Sequence, residues 1–595
     1  MQELVKSVKL FKGLKNDEDA KQVPAEYFYK MKNFGYSETG LLGISKILMP
    51  TQIVHIGTAK IDGLIEYRYL NNINALITEY LAVTNGNIYK AILGTPVSIY
   101  SGLTVGKISY AVFNDKLYIA NGKNYITIYD GNKEIVYQMG APEVETTTTA
   151  GNPNGVYYYA MTYVTAGGEE VIGTVSNTLT VASKKITVNI PIGYSGTLTR
   201  NIYRTKAGGA QLYLIAAIPD NTTMSYLDNI ADVSLVTPIP ATNNEMIKPY
   251  FISIASQKIY AGVVDKYPTQ VFISGVNIEV IDPANSLDVG NYGVDNTPVK
   301  GLGTDFNKII VGTEKNIIMI DPASDTPVIT RANVGIKDGY SVKSIPATAN
   351  FPGGMVFVSN LNDVRVLVGM QALPVSTSLD NVRSDNLAQD IRGDIARYLV
   401  TATNIHSEFI NYKYHLLIDY IKYVYDTRLG AWSAHDIRTK TYQSKPACIG
   451  VLNNNLYNGQ LDGWVELEYS SLQYQGEDVE AFIESPQMTV STDYKFIEKI
   501  KMWFIAGNNN IVNIEVVTDE NEVFKIDNDF YLQGGVFNGQ YFNPMYFRTG
   551  NTTMDYRVVN INRFCRWLKY RITSTTGNVN YQGFEIYYQD VETRQ

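Results

Sequence analysis

Six segments of the chain repeat one pattern of polar and apolar positions. In each, a polar turn leads into an apolar strand, and a second turn leads into a strand that is apolar or alternating. The segments are residues 113–130, 255–275, 305–321, 353–369, 410–433 and 452–470. From residue 255 onwards their starts lie 50, 48, 57 and 42 residues apart. Strand-built repeats of about 40 to 50 residues are typical of β-propellers. The pattern therefore predicts an all-β chain with six blades, or seven if residues 79–93 form a blade rather than closing strands.

The interval between the first two segments is too long for one blade, because it covers 142 residues, from 113 to 255. Residues 141–246 within it carry roughly seven short strand patterns, which fits a small β-sandwich. Residues 143–153 (EVETTTTAGNP) are polar and are interpreted as a linker that precedes it. A domain whose ends lie close together is easily inserted into another domain. We therefore predict a fibronectin-like β-sandwich between two blades.

The remaining segments have weaker patterns. Residues 1–60 are interpreted as an irregular lead-in, with a short helix at residues 24–29 that has a proline at its first turn. Residues 33–50 are interpreted as a loop followed by a strand. Alternating runs from residue 476 onwards predict a C-terminal β-sandwich, interrupted by a long ordered loop at 530–549. The predicted domains are the lead-in with the first blades (1–140), the inserted sandwich (141–246), the remaining blades (247–475) and the C-terminal sandwich (476–595).

One helix is predicted among the blades, at residues 387–399 (LAQDIRGDIARYL). Leu387, Ile391, Ile395 and Leu399 recur at four-residue spacing and would share one apolar face. Asn386 would cap its first turn, since asparagine is a favoured N-cap residue.

Composition and charge restrict the function. The chain has 45 Tyr but only 4 Trp and 4 His. The abundance of tyrosine favours sheet structure and partly solvated contact surfaces. Its net charge of −8 argues against general nucleic-acid binding, yet an acidic channel could let DNA slide past without sticking. Residues 1–15 lack the apolar core of a signal peptide, and no run approaches the roughly 18 apolar residues of a membrane span. We therefore expect synthesis in a cytoplasm and no direct membrane span.

The candidates for chemistry are few. His55, His406, His415 and His435 show no metal-binding spacing, so structural or surface roles are expected for them. Cys448 and Cys565 form neither a disulfide framework nor a zinc pattern, and they are expected to be buried small hydrophobes.

Two short motifs predict turns rather than catalytic sites. Residues 426–432 (DTRLGAW) resemble the Asp-box turn of sialidase-like propellers, although Val424 stands where that box has its serine. Residues 462–464 (DGW) are a similar turn. Both predict blade turns, and no carboxylate pair of a glycosidase or phosphate-binding loop stands out. We therefore predict no catalytic, cofactor-binding or metal-binding residues, no cofactor and no enzyme activity.

The order of these parts resembles a known family. Residues 11–40, 111–131, 297–320 and 410–433 resemble, in that order, the lead-in and the first, middle and late blades of the tail nozzle and packaged-DNA stabilisation (head-completion) proteins of short-tailed bacteriophages. The insert, with RNIYRT at 200–205, is similar to modules common in phage tails. The resemblance covers most of residues 1–470.

The resemblance implies a structural virion protein located in the phage tail and assembled in the bacterial cytoplasm. Members form a ring, often a hexamer, beneath the portal and adaptor. The implied partners are other copies of the chain, the portal or adaptor, other tail proteins and tail fibres. The ring would extend the DNA channel, help retain the packaged genome and let double-stranded DNA pass without sequence-specific binding.

Two alternatives belong to other classes. A carbohydrate-binding or carbohydrate-active propeller would have a concave, aromatic-lined acidic site. A cellular interaction scaffold would combine a propeller with fibronectin-like modules, and its repeats would be expected to be more regular than these six.

Overall fold

The structure is a computed structural model. It describes residues 3–16, 19–36, 44–71, 73–131, 136–137, 142–165, 170–193, 197–240, 247–277, 281, 285–292, 296–368, 391–436, 445–471, 473–490, 493–506, 510–519, 521–532, 553–574 and 579–589. Two compact units are present. The first comprises residues 1–64, 340–370 and 376–595, and the second comprises residues 65–339 and 371–375.

The described residues form 48 strands and one α-helix. The first five strands are β1 (Glu3–Val8), β2 (Lys30–Lys32), β3 (Phe34–Tyr36), β4 (Ile44–Lys46) and β5 (Met49–His55). Those up to the insert are β6 (Ile61–Leu70), β7 (Leu76–Thr84), β8 (Asn87–Lys90), β9 (Val97–Ser101), β10 (Ser109–Phe113), β11 (Lys116–Ala120), β12 (Thr127–Tyr129) and β13 (Val136–Tyr137). Those of the insert are β14 (Glu143–Ala150), β15 (Gly155–Tyr157), β16 (Tyr159–Thr165), β17 (Glu170–Val175), β18 (Leu179–Val181), β19 (Lys184–Asn189), β20 (Thr197–Thr205), β21 (Leu212–Ile218) and β22 (Ser225–Asp228).

The next strands complete the second unit: β23 (Phe251–Ala255), β24 (Lys258–Val264), β25 (Tyr267–Ile273), β26 (Ser286–Asp288), β27 (Val299–Asp305), β28 (Lys308–Thr313), β29 (Asn316–Asp321) and β30 (Thr326–Ala332). The first unit resumes with β31 (Lys343–Ile345), β32 (Gly354–Val358), β33 (Val364–Leu367), the helix α1 (Arg392–Thr401), β34 (Ile405–Ile410), β35 (Lys413–Ile418), β36 (Ile421–Asp426), β37 (Ala431–His435), β38 (Pro446–Leu452), β39 (Asn455–Gln460) and β40 (Trp464–Ser471). The last strands are β41 (Ala481–Glu484), β42 (Met488–Thr489), β43 (Lys495–Ala506), β44 (Asn510–Thr518), β45 (Val523–Leu532), β46 (Thr553–Cys565), β47 (Trp567–Ser574) and β48 (Val579–Gln589).

The strands confirm an all-β chain with a β-propeller. The second unit holds four small antiparallel sheets, β6–β9, β10–β13, β23–β26 and β27–β30. The first unit holds three more, β31–β33, β34–β37 and β38–β40 with β5. Within the second unit the first strands β10, β23 and β27 contact one another in succession, as the inner strands of neighbouring blades do. Residues 79–93 contribute to β7 and β8, which belong to the four-stranded sheet β6–β9, so they are part of a separate blade. The described residues thus contain seven blade sheets.

The repeated polar turn has a common geometry. In five sheets the first two strands are joined by two residues that both have positive φ, as a type I′ hairpin requires. The pairs are Asn114–Asp115, Ser256–Gln257, Phe306–Asn307, Asn411–Tyr412 and Asn453–Asn454. The register of each hairpin is thereby fixed, and with it the face on which every side chain of the blade lies.

The inserted domain contains three sheets, β14-β19-β22, β15-β18 and β17-β16-β20-β21. Tyr159, Tyr163 and Ile202 are fully buried in its core, so the predicted inserted β-sandwich is confirmed. The prediction of a polar linker at 143–153 is wrong, because Glu143–Ala150 forms β14 and pairs with β19. Threonine-rich sequence suits a half-exposed strand as well as a loop, which explains the error.

The C-terminal sandwich consists of two six-stranded sheets, and both include strands from the start of the chain. One sheet contains β1, β3 and β4 beside β48, β43 and β46, and the other contains β2 beside β41, β47, β44 and β45. The prediction of an irregular lead-in is therefore wrong. The predicted helix at 24–29 is also absent, because Phe28 is fully buried and its backbone N–H donates to the carbonyl of Gly13.

The predicted helix among the blades is confirmed over part of its length. α1 begins at Arg392 and buries Ile395 and Leu399 completely. The proposed cap Asn386, and Leu387 with it, lie outside the described residues, as does most of the predicted loop at 530–549.

Candidate functional site

A cavity of about 340 Å³ lies within the first unit. It is bounded by the β3–β4 hairpin, the strands β35, β36 and β37, and Tyr469 of β40. Its lining residues are Gly35, Tyr36, Ser45, Lys46, Ile47, Leu48, Lys413, Val424, Asp426, Ser433, His435 and Tyr469. The concentration of polar groups in one concave site makes it the candidate site of the described residues.

Strand register places His415 on the same face of the sheet as His435, which lines this cavity. His415 of β35 and Ser433 of β37 both lie opposite Val424 of the strand between them. His435 follows two residues after Ser433 and therefore lies on the same face of the sheet. Both histidines are almost completely buried. The Ser433 hydroxyl lies 3.1 Å from Nε2 of His435.

Tyr469 reaches both histidines because β40 is irregular there. The pairing of β40 with β5 shifts register between Leu467 and Ser471, and Tyr469 between them has φ of 55°. Such a bulge redirects a side chain and is common beside functional sites. The Tyr469 hydroxyl lies 3.3 Å from Nδ1 of His435 and 3.5 Å from Nδ1 of His415.

The electrostatics keep both histidines neutral. Burial lowers the pKa of His415 and of His435 well below the usual value, and the positive charges of Lys422 and Lys413 lower the pKa of each further. Burial also lowers the pKa of Lys46 to about 8, although Asp478 opposes the shift. The imidazoles therefore act as fixed polar groups, and the lysines carry the positive charge.

The charged neighbours are mostly paired. Asp426 accepts a hydrogen bond from the backbone of Arg428 at 3.0 Å and one from its guanidinium at 2.6 Å. Lys413 donates to the carbonyl oxygen of Tyr36 at 3.0 Å. Lys422 lies 2.8 Å from a carboxylate oxygen of Glu468. The lining thus contains two lysines and one carboxylate, and each of the three already has a partner within the protein.

A second buried carboxylate, that of Glu466, lies on β40, the strand that also carries Tyr469. Glu466 accepts hydrogen bonds of 2.6 Å from both Gln460 and Tyr474. The pKa of Glu466 is raised to about 7, chiefly by burial, with a contribution from the charge of Glu468 and opposed by the two hydrogen bonds.

This arrangement is poorly suited to hydrolysis. In a serine hydrolase the histidine is oriented by a carboxylate, but His435 faces the hydroxyl of Tyr469. Its lowered pKa also makes it a weak general base. A glycosidase needs two carboxyl groups facing the sugar, and Asp426 is the single carboxylate among the described residues that line the cavity. The geometry instead favours binding.

The other candidates of the sequence lie elsewhere. The His55 ring stacks on Trp464 at 4.7 Å, and the His406 ring stacks on Tyr340 at 5.6 Å. Cys448 and Cys565 are both buried, as expected.

The two turn motifs form blade turns, as predicted. Residues 426–431 close the turn between β36 and β37, where Gly430 donates its backbone N–H to the carbonyl of Asp426. Trp432 is buried and packs on Tyr425 at 5.1 Å.

Sequence reasoning missed the pairing of His415 with His435. They are 20 residues apart and carry no spacing motif, so the signal appears only when β35, β36 and β37 are aligned by their turns. Across the residues that the structure describes, no group of three or more His, Cys, Asp or Glu side chains could hold a metal ion. Nor does any described helix have the length and apolar character needed to cross a membrane.

Comparison with known proteins gives similarity of fold only. No family model matches the chain, and no curated protein matches it. Among solved structures, the C-terminal WD40 domain of Sif2 has 9% identity and a TM-score of 0.31 and covers 71% of this chain and 98% of its own. The WD40 domain of SCAP from fission yeast gives the same values. BamB from Moraxella catarrhalis has 10% identity and a TM-score of 0.25, covering 62% of this chain and 95% of its own. These TM-scores are low, so the propeller is identified by the chain's own sheets.

Proposed function

We propose that the chain is a structural protein of a short-tailed bacteriophage tail. It would form an oligomeric ring, expected to be a hexamer, that extends the DNA channel, helps retain the packaged genome and lets it pass at ejection. The proposal rests on the family resemblance, and the observation that supports it best is the order of modules. A propeller interrupted by an inserted sandwich is followed by a second sandwich that also incorporates the first four strands.

The physical character of these modules suits such a role. Propeller blades are rigid, and their connecting loops can vary without disturbing the sheets. Copies of a rigid block around a symmetry axis enclose a lumen, so no single chain needs a pore. The chain's net negative charge would repel the phosphates of DNA from the wall of a lumen.

The experiment is immunogold electron microscopy of particles from the source culture, with an antibody raised against the full chain. A matched control uses the same antibody after absorption with purified chain. We expect gold at the tails of short-tailed particles and loss of the gold after absorption. Unlabelled particles with the chain free in solution or on cells would overturn the proposal and direct attention to glycan binding and turnover.

A further inference from the structure

We propose that the chain forms an isopeptide bond within itself, between the side chains of Lys422 and Asn458, with Glu468 as the acid–base group. Lys422 lies on β36 and Asn458 lies on β39. The bond would therefore join the blade sheet β34–β37 to the neighbouring blade sheet β38–β40. This self-modification goes beyond the proposed structural function and does not depend on it.

The three side chains meet in one cluster. The Nζ atom of Lys422 donates to the amide oxygen of Asn458 at 3.1 Å and lies 2.8 Å from Oε2 of Glu468. The amide nitrogen of Asn458 donates to the same oxygen of Glu468. One carboxylate oxygen thus contacts both the nitrogen that would attack and the nitrogen that would leave.

The attacking nitrogen also lies close to the carbon that it would attack. With a hydrogen bond of 3.1 Å to the amide oxygen, a C=O bond of about 1.23 Å places Cγ of Asn458 roughly 3.3–4.3 Å from Nζ of Lys422. The lower part of that range is a near-attack separation of about 3–3.5 Å. Both residues belong to paired strands, which hold them at this separation.

The cluster is shielded from water. All three side chains are at most 5% exposed. Leu417 pairs with Lys422 in one sheet, and Ile449 pairs with Asn458 in the other. Leu417 and Ile449 belong to one buried apolar cluster. Because residues that lie directly opposite share a face of the sheet, apolar side chains flank the reacting groups and exclude the water that would compete with the amine.

The atoms and protons balance within the cluster. Glu468 accepts a proton from the ammonium of Lys422, and the neutral amine attacks Cγ of Asn458. Glu468 passes this proton to Nδ2 and takes a second proton from Nζ. The bond between Cγ and Nδ2 then breaks, and Nδ2 leaves as ammonia. An ammonium, a carboxylate and a primary amide become a secondary amide, a carboxylic acid and ammonia, and the reaction requires neither an oxidant nor a reductant.

The reaction would also remove two buried charges. Burying an ion pair carries a desolvation penalty that the attraction between its members does not always repay. Lys422 and Glu468 form such a pair before the reaction, whereas the products within the protein are uncharged. Loss of the ammonia to solvent would then favour the crosslinked chain.

The test is mass spectrometry of the purified full chain, both intact and after digestion with trypsin. We expect the intact mass to fall below the mass calculated from the sequence by one ammonia. Trypsin should not cleave after Lys422, and residues 414–428 should be recovered joined to a peptide that contains Asn458. A succinimide between Asn458 and Gly459 would also release ammonia, but trypsin would then cleave after Lys422 and the joined peptide would be absent.

Variants assign the roles of the residues. Lys422→Arg keeps the positive charge and should retain the full calculated mass. Glu468→Gln leaves Lys422 and Asn458 in place and should slow crosslinking by about a hundredfold or more, a typical contribution of general acid–base catalysis. The rate is followed in chain freshly made by cell-free synthesis. Lys343→Met is the matched control, since Lys343 pairs with Glu408 at 2.8 Å in the same unit, and it should crosslink at the rate of the unaltered chain.

The ring signals of the four histidines in NMR check that each variant is folded. The unaltered chain decides the proposal even if a variant does not fold. An unaltered chain of full calculated mass, or one that loses ammonia without yielding the joined peptide, would overturn the proposal. An unchanged rate of crosslinking in folded Glu468→Gln would overturn the role of the carboxylate.

Discussion

Removing one buried arginine should unfold the inserted sandwich selectively. Arg204 on β20 is completely buried together with Asp228, and its guanidinium lies 2.6 Å from that carboxylate. The same guanidinium lies 2.8 Å from Asp232 and donates to the carbonyl of Ile230 at 2.9 Å. Tyr159 donates its hydroxyl to Asp228 at 2.7 Å. With the carbonyl of Thr205 at 3.3 Å, the one guanidinium therefore serves four acceptors. Arg204→Met leaves the buried carboxylate of Asp228 without its main partner.

The expected loss is large because it comes from stranding Asp228 rather than from losing a favourable pair. Breaking a buried ion pair by removing one member costs about 3–5 kcal/mol. For a domain of roughly 95 residues, each kcal/mol lowers the melting temperature by about 4–8 °C. The insert of Arg204→Met should therefore melt at least roughly 12 °C earlier. The double variant Arg204→Met with Asp228→Leu should recover much of the loss, since an apolar pair of similar volume carries no desolvation penalty.

Hydrogen exchange measured by mass spectrometry on the full chain is the suitable assay, because it reports the insert separately from the blades. Peptides from residues 142–240 should exchange faster in Arg204→Met, while those from β34–β37 should not change. Lys206→Met is the control: Lys206 lies over the Tyr213 ring at 4.7 Å on the surface of the same domain, and less than about 1 kcal/mol is expected from it. A loss below about 1 kcal/mol in Arg204→Met, or no recovery in the double variant, would refute the reasoning.

Two further predictions concern the first unit. Glu466 has a folded pKa of about 7 against 4.5 unfolded, so the folded state holds the proton more tightly and stability falls as pH rises from about 5 to 8. Glu466→Gln should remove on the order of 3 kcal/mol from the difference in unfolding free energy between pH 5 and pH 8. The measurement is urea unfolding at several pH values, followed through the histidine NMR signals. An unchanged dependence of the unfolding free energy on pH would contradict the burial argument. Gly463 has φ of 88°, and a Cβ there would lie 2.0 Å from the carbonyl oxygen of Gly57, whereas Gly476 has φ of 80° with open space around it. Gly476→Ala should cost only backbone strain, roughly 1–3 kcal/mol. Gly463→Ala should destabilise the β39–β40 hairpin by more than this, as measured by pulse proteolysis. Equal losses of stability would show that the close approach to Gly57 does not matter.

The repeats were predictable because a blade is built from local pairings. Each hairpin needs a turn of two residues and apolar strands on either side, and all of that information lies within about 20 residues of sequence. The pairs Asn411–Tyr412 and Asn453–Asn454 carry it directly. The local pattern was enough to predict strands at residues 79–93. It does not show which other strands they pair with, so it left open whether they form a separate blade or the closing strands of an existing one.

Apart from one strand expected within residues 33–50, the first five strands were missed because their partners are far away in sequence. β2 and β3 are three residues long, too short to show a period of two. Lys30 lies 3.3 Å from Glu484, which is 454 residues later, and no local signal records such a partner. The cavity was missed for the same reason, since residues of β3 and β4 line it together with residues of blade strands between 413 and 469.

These long-range pairings assign a role to the first five strands. β5 supplies the fourth strand of the β38–β40 sheet, while β1 to β4 extend both sheets of the C-terminal sandwich. The earliest segment of the chain thus holds a blade and a sandwich together within one unit, with Asn33 donating hydrogen bonds to the carbonyls of Asp436 and Glu480. Pairings at such separations close very large loops, which costs entropy and slows folding. Strands β3 and β4 form one wall of the cavity, so the candidate site depends on these long-range pairings as well as on the blade strands.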